Sequence, residues 1–384
     1  MIGLRQVRRI SQTAFEKLKV IPREGLVWRT NEDDPRKHTL AHEGLHYQLP
    51  DEKQLIQIFG YPSPFTQRIT IFYKAIGLIP IMVRKPALTT MDYLERVNYQ
   101  LPSVRFLFYG DLGRGKTHTL AHLVHYLHMK QEHIIIHIRR VAPYVRGPSE
   151  IAPSTSRPGR IDTPLDAALL LKQFLTQNAQ LLERVGGDLT CSKDYTWSLR
   201  EVTKAGEPIA NIAEHGVNRV IHASDCVAVL FKELALAADG GKIKLASVID
   251  GTRYLFEDLA GKLKHQDHKK MYVDEITIAR ALKKLIKGTH RNGILLASCE
   301  GHRSDGQNQT PRQILGIEGW NHFDPFIPIH VPNYSRKEFE SRMNMYQDMG
   351  WLCRPESCTQ EARDEVRFVS GLNPGEVHYL CQPM

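Results

Sequence analysis

The stretch that decides the fold is Val104-Arg-Phe-Leu-Phe-Tyr109 followed by Gly110-Asp-Leu-Gly-Arg-Gly-Lys-Thr117. An apolar strand runs here into G-x-x-x-x-G-K-[ST], and a helical pattern begins near Gly115, which is the setting that this motif requires. Gly110, Gly113 and Gly115 carry no Cβ, so the backbone can turn tightly and bring its N–H groups close to phosphate oxygens. The sequence therefore predicts a loop that binds the phosphates of a nucleoside di- or triphosphate.

The predicted nucleotide contacts follow from this loop and from the positive end of the helix after it. They are Gly110, Asp111, Leu112, Gly113, Arg114, Gly115, Lys116, Thr117 and His118. Lys116 supplies a point charge for the β- and γ-phosphates, and the Thr117 hydroxyl is placed to ligate Mg²⁺.

A second acidic position completes the predicted metal site. Asp250 ends the apolar run Lys244-Leu-Ala-Ser-Val-Ile-Asp250, where a P-loop protein places the acid that orients Mg²⁺ and its waters. The alternative is an ordinary aspartate that ends a strand before the turn glycine Gly251. We predict that Thr117 and Asp250 hold the metal.

The residues after Asp250 argue against rapid hydrolysis. ATPases of the additional-strand class usually carry a glutamate base directly after this aspartate, and here Gly251 cannot accept a proton. Arg253 occupies the place of the glycine in a D-x-x-G switch, and the sequence contains no [NT]-K-x-D motif that reads guanine. Ser298 could sense a γ-phosphate or could equally be a buried serine. We predict no catalytic residue, and tight binding with hydrolysis slow or absent.

Strands alternate with helices after residue 103, which indicates an α/β fold with a parallel sheet covered by helices on both faces. Predicted strands are 104–109, 133–138, 244–250, 293–298 and 326–331. Predicted helices are 51–59, 65–76, 87–98, 115–129, 164–184, 218–237, 273–289, 335–347, 359–370 and 375–381, and 143–160 is predicted to be a loop. We divide the chain into a basic N-terminal arm (1–102), a P-loop domain (103–332) and a C-terminal helical lid (333–384).

Two histidine patterns have the spacing of metal ligands. His42-Glu-Gly-Leu-His46 spells H-E-x-x-H, which binds zinc only on a helix, and Gly44 and Pro50 disfavour a helix there. His118, His122, His125 and His128 recur on the helix after the phosphate loop. Leu120, Leu123, Val124 and Leu127 form the apolar stripe of that helix, so we expect the histidines at the edge of the core rather than around a metal.

Composition restricts the partners. The net charge of +9 is concentrated in residues 1–30, which carry seven Lys and Arg against two acids, and in residues 261–291, which carry nine against three. Such segments suit an RNA partner, although a solvated helix face has the same composition. No apolar run is long enough to span a membrane. The six cysteines are scattered, which fits a reducing compartment.

The first fifteen residues contain three arginines, serine and threonine, and no acid. This composition is typical of a mitochondrial transit peptide, and an RNA-binding arm would look similar. The sequence leaves both interpretations open.

Several further strings resemble the death-associated protein 3 family. They are Arg29-Thr30, Asp34-Pro35 with Lys37-His38, His42-Glu43-Gly44-Leu45, Val83-Arg-Lys-Pro-Ala-Leu88, the phosphate loop, Val248-Ile-Asp-Gly251, Asp324-Pro-Phe-Ile-Pro-Ile329, Asn333-Tyr334 and Lys337-Glu-Phe-Glu-Ser341. The phosphate loop alone is generic. The other strings, in order and at similar spacing from residue 29 to the C-terminus, make the resemblance specific.

The resemblance implies a P-loop domain of the additional-strand class, similar to AAA+ proteins, in the head of the mitochondrial small ribosomal subunit near the subunit interface. It implies GTP or GDP with Mg²⁺ as ligands, with ATP not excluded. It implies contacts with small-subunit rRNA and with mitoribosomal proteins, including those of the large subunit, a place in the mitochondrial matrix and a structural role in translation. The family is also linked to apoptosis. The alternative is an active AAA+-like NTPase that works as a remodelling or apoptosis-signalling switch. Arg114 stands where the family often has a small residue, so we expect an additional cation beside the phosphates.

Overall fold

The computed structural model describes residues 27–61, 63–265, 268–299, 301 and 308–382. Five strands form the central sheet: β1 Val104–Tyr109, β2 His133–Ile138, β3 Lys244–Ile249, β4 Gly293–Ser298 and β5 Ile327–His330. All neighbouring strands are parallel, in the order β5-β1-β4-β3-β2. β4 lies between β1, which precedes the P-loop, and β3, which precedes Asp250, and a strand inserted at this place defines the additional-strand class. The predicted α/β fold with a parallel sheet of this class is therefore confirmed.

Helices accompany the sheet along its whole length. They are α1 Glu52–Phe59, α2 Gln67–Ile76, α3 Lys85–Glu95, α4 Lys116–Lys130, α5 Ala142–Arg146, α6 Pro164–Val185, α7 Ala210–Asn218, α8 Ala223–Asp239, α9 Thr277–Lys287, α10 Pro311–Phe323, α11 Arg336–Asp348, α12 Gln360–Ser370 and α13 Pro374–Leu380. Short antiparallel pairs join His46–Gln48 to Pro80–Met82, Ala152–Pro153 to Ile161–Asp162, Tyr195–Thr196 to Val202–Thr203, and Leu259–Lys264 to Lys270–Tyr272.

Most predicted elements are confirmed to within a few residues, and the differences have local causes. The predicted helix 218–237 corresponds to α8, which begins at Ala223 because a 3-10 turn occupies Val220–His222. α7, which ends before that turn, was not predicted. The predicted loop 143–160 contains most of α5 and the strand Ala152–Pro153, and the partner of that strand, Ile161–Asp162, follows the loop directly. α10 was not predicted. It begins at a capping box in which Thr310 accepts a hydrogen bond from the backbone N–H of Gln313, and Gly316 interrupts its helical geometry.

Both faces of the sheet are covered, which is why its strands are apolar on both sides. Leu107 and Ile136 face a core formed with α6, α7, α8, α9 and α10. Phe106, Phe108 and Ile135 face the opposite core. That second core is built from α1 to α4 together with α11 and α13, so distant parts of the chain share it.

Residues 27–102 pack on this second core. Tyr47 is fully buried in it, and the Trp28 Nε1–H donates to Asp348 Oδ2 in α11 at 2.9 Å. The division into arm, domain and lid stays a prediction, and residues 1–26, which include the predicted transit peptide, lie outside the described residues. In the part of the chain that is described, no helix combines the length and the apolar character needed to cross a bilayer.

Helix α4 is buried on nearly all sides, and our prediction for its histidines is wrong for His122 and His125, which lie inside the core. The reason is that residues 34–49 cover this side of the helix. The His122 Nε2 lies 2.8 Å from His38 Nδ1, and the His125 Nδ1 lies 3.4 Å from the Tyr47 hydroxyl. Burial lowers the pKa of His118 and of His125 to about 3 and that of His122 well below its usual value.

The H-E-x-x-H segment is not α-helical, so its two histidines do not lie on one helix face. This confirms the prediction made from Gly44 and Pro50. His42 ends a 3-10 turn, Gly44 has a φ of +83°, and His46 begins a strand. His46 is buried, and its Nδ1 lies 3.2 Å from the Trp28 carbonyl oxygen.

The buried histidines predict acid destabilisation. Their folded-state pKa values lie below the unfolded value of about 6.5, so the unfolded chain binds more protons once the pH falls below 6.5. The stability that neutral His118, His125, His133 and His137 contribute is complete above pH 6.5 and is lost as the pH falls toward 4. Each should cost about 1.4 kcal/mol of unfolding free energy per pH unit below pH 6.

Urea unfolding of the wild-type protein between pH 7.5 and 5 measures this loss. The His125→Gln variant should lose less stability over the same range, because one titrating group is gone. Equal slopes for the wild-type protein and the His125 variant would show that His125 does not drive the acid transition.

Candidate nucleotide site

The loop after β1 has the conformation that its glycines allow. Gly113 and Gly115 have φ values of +85° and +92°, a region that disfavours residues with a side chain, and α4 begins directly after them at Lys116. The Lys116 ammonium turns back over the loop and donates to the carbonyl oxygens of Gly110 and Asp111 at 2.9 and 2.8 Å. Its charge is therefore held within the loop, at the N-terminus of α4.

Three oxygen-bearing side chains meet at the carboxyl ends of β3 and β4. The Thr117 hydroxyl donates to Asp250 Oδ2 at 2.6 Å, and the Ser298 hydroxyl donates to Asp250 Oδ1. Ser298 is buried and also accepts the Gly251 N–H at 2.9 Å. Ser298 therefore holds one carboxylate oxygen of Asp250, while Thr117 contacts the other. The hydroxyl and carboxylate oxygens of Thr117 and Asp250 are the hard donors that Mg²⁺ prefers, so this pair fits the predicted metal.

A cavity of about 440 Å³ opens beside the loop. This volume lies within the range of about 300 to 1,000 Å³ that small-molecule sites occupy. Its lining includes Leu112, Gly113, Gly115, Lys116, Thr117 and His118 of the predicted contacts, together with Asp250. Asp250 is the single carboxylate among the described residues that line it. Gly110, Asp111 and Arg114 belong to the loop but do not line the cavity.

The Arg114 side chain turns toward β5 rather than into the cavity. Its guanidinium pairs with Asp111, donates to Asn308 Oδ1 at 2.8 Å and lies 2.9 Å from His330 Nε2. The carboxylate of Asp111 offsets its charge. The guanidinium of Arg114, which we expected beside the phosphates, therefore lies on the side of the loop that faces away from the cavity.

Much of the remaining wall comes from segments before β1 and after β5. One side of the cavity is lined by α2 and the residues before it, through Phe65, Phe72 and Tyr73. Another side is lined by Tyr334, Arg342, Tyr346 and His378. The N-terminus of α13 also docks on the phosphate loop itself. The Asn373 side-chain amide donates to the Leu112 carbonyl oxygen, and the Gly375 N–H donates to that of Gly113, both at 2.9 Å.

The family model described as mitochondrial ribosomal death-associated protein 3 matches residues 81–380, which include this loop and every wall except α2. The chain belongs to this family. It is 35% identical over 359 residues to the small ribosomal subunit protein mS29 of Mus musculus, covering 92% of this chain and 89% of the relative. It is 34% identical to the Bos taurus protein of the same name over 357 residues, covering 92% and 87%.

A solved structure described as a DNA replication initiation factor is also similar, at 9% identity and a TM-score of 0.29 over 78% of this chain and 65% of the other. A likeness of this size carries no argument about function. The fold assignment rests on the strand order instead.

Sequence reasoning on the loop missed the walls that lie outside it. Arg84 was part of a string shared with the family, but its role was not predicted. Its guanidinium donates to Glu338 Oε1 at 2.8 Å, to the Arg114 carbonyl oxygen at 2.8 Å and to the Pro332 carbonyl oxygen at 3.0 Å. The side chains of Arg84 and Glu338 are each 5% exposed. One buried ion pair thus joins the N-terminal segment, the phosphate loop and α11.

Removal of Arg84 should destabilise the folded protein strongly. The Arg84→Ala variant leaves Glu338 buried without its partner, which costs about 3 to 5 kcal/mol of unfolding free energy. The matched control is Arg96→Ala, which breaks an exposed pair with Asp92 on α3 and should change stability by less than about 1 kcal/mol. Urea unfolding measures both. A comparable small loss in the two variants would refute the joining role of Arg84.

Proposed function

We propose that this protein is a component of the mitochondrial small ribosomal subunit that holds a purine nucleotide as a structural ligand. GTP or GDP with Mg²⁺ is the proposed ligand, ATP is the alternative, and hydrolysis is slow or absent. Family membership and the names of the mouse and bovine relatives support the ribosomal role. That role implies a mitochondrial location in the matrix, a part in translation, and contacts with small-subunit proteins and with large-subunit proteins at the interface.

The observation that carries the nucleotide proposal is the cavity between the phosphate loop and the helices docked on it. Lys116 and the N–H groups of the loop would receive the phosphates. Thr117 and Asp250 would hold Mg²⁺, which when bound neutralises phosphate charge. Ser298 fixes the orientation of Asp250.

The geometry favours holding over turnover. Gly251 follows Asp250, and the described cavity wall offers no second carboxylate that could accept a proton from water. Asn373 and Gly375 are hydrogen-bonded to the loop, so the wall over the phosphates is already in contact with it. An enzyme that cycles rapidly must instead release its product.

The Lys116→Ala variant tests the holding role. Addition of Mg-GDP should raise the melting temperature of the wild-type protein, because a ligand that binds only the folded state stabilises it by about 2.7 kcal/mol at a hundred times its dissociation constant. The variant should lose this ligand-dependent shift, since the charge that meets the phosphates is gone. The control Lys74→Ala, at an exposed position of α2 outside the cavity lining, should keep it.

A single-turnover assay with bound GTP separates the two candidate functions. Hydrolysis near 1 s⁻¹, the low end of ordinary enzyme rates, would contradict a holding role and favour an NTPase switch. Equal melting shifts in the wild-type protein and the Lys116 variant would contradict nucleotide binding at this loop.

The rRNA contact proposed with this function has a candidate surface at α8 and α9. A cleft there is lined by six cations, Arg157, Arg160, Lys193, Lys232, Arg280 and Lys284, and by one acid among the described residues, Asp225. Burial, and next the charges of Arg280 and Arg157, lower the pKa of Arg160. Like charges held this close favour a polyanion between them.

The Arg280→Ala/Lys284→Ala double variant tests this cleft. The affinity for fragments of mitochondrial small-subunit rRNA should fall, and the slope of log K against log salt should become shallower by about 1 to 2, because each lost phosphate contact removes about 0.7 to 0.9. Filter binding at several salt concentrations measures this. The control Lys53→Ala/Lys172→Ala removes two exposed cations outside the cleft. The same slope in both double variants would exclude the cleft as an RNA contact.

A further inference from the structure

Arg342 of α11 lines the same cavity as the phosphate loop, and its side chain is 93% enclosed, since the residue is 7% exposed. Its guanidinium lies 5.6 Å from the centre of the Tyr346 ring. Tyr73 also lines the cavity, and its hydroxyl is hydrogen-bonded to His118 Nε2 at 2.9 Å. This bond connects the wall near Arg342 to the first turn of α4. Arg342 therefore lies beside the place where the phosphate loop becomes a helix.

The charge of Arg342 is uncompensated within the described part of the chain. None of the ion pairs there includes it, whereas Arg84 pairs with Glu338 and Arg363 pairs with Glu340 on the same helix. The Arg342 Nε has no hydrogen-bond partner, and Nη1 reaches the sulfur of Met345 at 3.7 Å. A buried guanidinium stays protonated, so its positive charge and its unpartnered Nε carry a large desolvation cost in the unliganded protein.

The neighbouring titratable groups supply no negative charge. Burial, followed by the charge of Arg342, lowers the pKa of His118 to about 3 and that of His378 to about 4, so both are neutral at physiological pH. Burial raises the pKa of Tyr73 and of Tyr346, so their hydroxyls stay protonated. Side-chain hydrogen bonds with the Tyr334 and Tyr73 hydroxyls reach the guanidinium, but they bring no carboxylate to it. Its Nε and its positive charge are thus left for an acceptor atom of whatever fills the cavity.

The nature of that ligand follows from the rest of the wall. The phosphates would occupy the loop at Gly113, Gly115 and Lys116, and the aromatic side chains Phe72, Tyr73 and Tyr346 suit the flat face of a base. Guanine presents two adjacent acceptors, O6 and N7, which match the fork of a guanidinium. Adenine replaces the first of these with an N6–H donor, which an arginine cannot accept.

We infer that Arg342 reads the O6/N7 edge of the purine and selects a guanine nucleotide over an adenine nucleotide. This inference rests on the proposed nucleotide-binding function and adds the residue that determines the base. A bidentate contact of this kind discriminates by about tenfold to a hundredfold in affinity.

The experiment compares GDP, IDP and ADP by titration calorimetry with the full chain, after removal of nucleotide that co-purifies. IDP keeps O6 and N7 but lacks the 2-amino group, so wild-type protein should bind GDP and IDP similarly and ADP about tenfold to a hundredfold more weakly. Arg342→Met, which has similar length and no charge, should weaken GDP and IDP to the level of ADP. The control Arg68→Met, at an exposed residue of α2, should keep the wild-type order.

Two further measurements keep the result decisive if a variant is unstable. The unliganded Arg342→Met protein should melt at or above the wild-type temperature, because it no longer buries an unpaired charge. Arg342→Lys keeps the charge but lacks the fork, so it should lose most of the preference. A melting temperature well below that of the wild type would overturn the claim that the guanidinium is buried without a counter-charge.

The remaining outcomes separate this inference from the function on which it rests. Equal binding of GDP, IDP and ADP to the wild-type protein would overturn base selection and leave nucleotide binding in place. Equal weakening of all three by Arg342→Met would overturn it in favour of a phosphate contact. No binding of any nucleotide to the wild-type protein would overturn the proposed function itself and the inference with it.

Discussion

The register of three parallel strands is the constraint on which the site depends. β4 hydrogen-bonds to β1 on one side, pairing Ser298 with Phe108, and to β3 on the other, pairing Ala297 with Ile249. The three strands therefore end at one edge of the sheet, where the loop after β1, Asp250 after β3 and Ser298 of β4 meet. A slip of β4 by one residue would turn Ser298 to the opposite face and remove the hydrogen bond that orients Asp250.

The sheet positions only the end of the cavity at the loop after β1, and much of the remaining wall comes from segments before β1 and after β5. The buried pair of Arg84 and Glu338 fixes the N-terminal segment to α11, while Asn373 fixes the start of α13 to the loop. The Arg84–Glu338 contact is polar and buried, so its geometry is specific in a way that apolar packing alone is not, whereas the Asn373 contact lies at the surface. The aromatic wall follows from this docking, because α2 carries Phe72 and Tyr73 and α11 carries Tyr346 to the same cavity.

The sequence predicted the sheet better than the cavity, for a physical reason. Strand and helix periodicity and the phosphate motif are local patterns, so β1 to β5, α4 and the Thr117–Asp250 pair could be inferred from neighbouring residues. The family strings contain both Arg84 and Glu338, but nothing in the sequence shows that these two side chains pair. Arg342 had one local signal, since it is a cation on the same helix face as the apolar residues Phe339, Met343 and Tyr346. That no carboxylate lies beside it could not be predicted, because its neighbours come from distant parts of the chain. The burial of His122 and His125 likewise depends on residues 34–49, which lie far from α4 in sequence.

The docking of Asn373 and Gly375 on the loop has a consequence for the order of events during synthesis. Residue 113 and residue 375 are separated by most of the chain, so the contact closes a loop of very high sequence separation and forms late. A nascent chain can build β1 and the loop after it early, but this loop lacks its contacts with Asn373 and Gly375 until α13 has been synthesised. Gly375 and His378 line the cavity, so its wall is complete only after α13 has docked, and an intact cavity reports that segments far apart in sequence have reached their places.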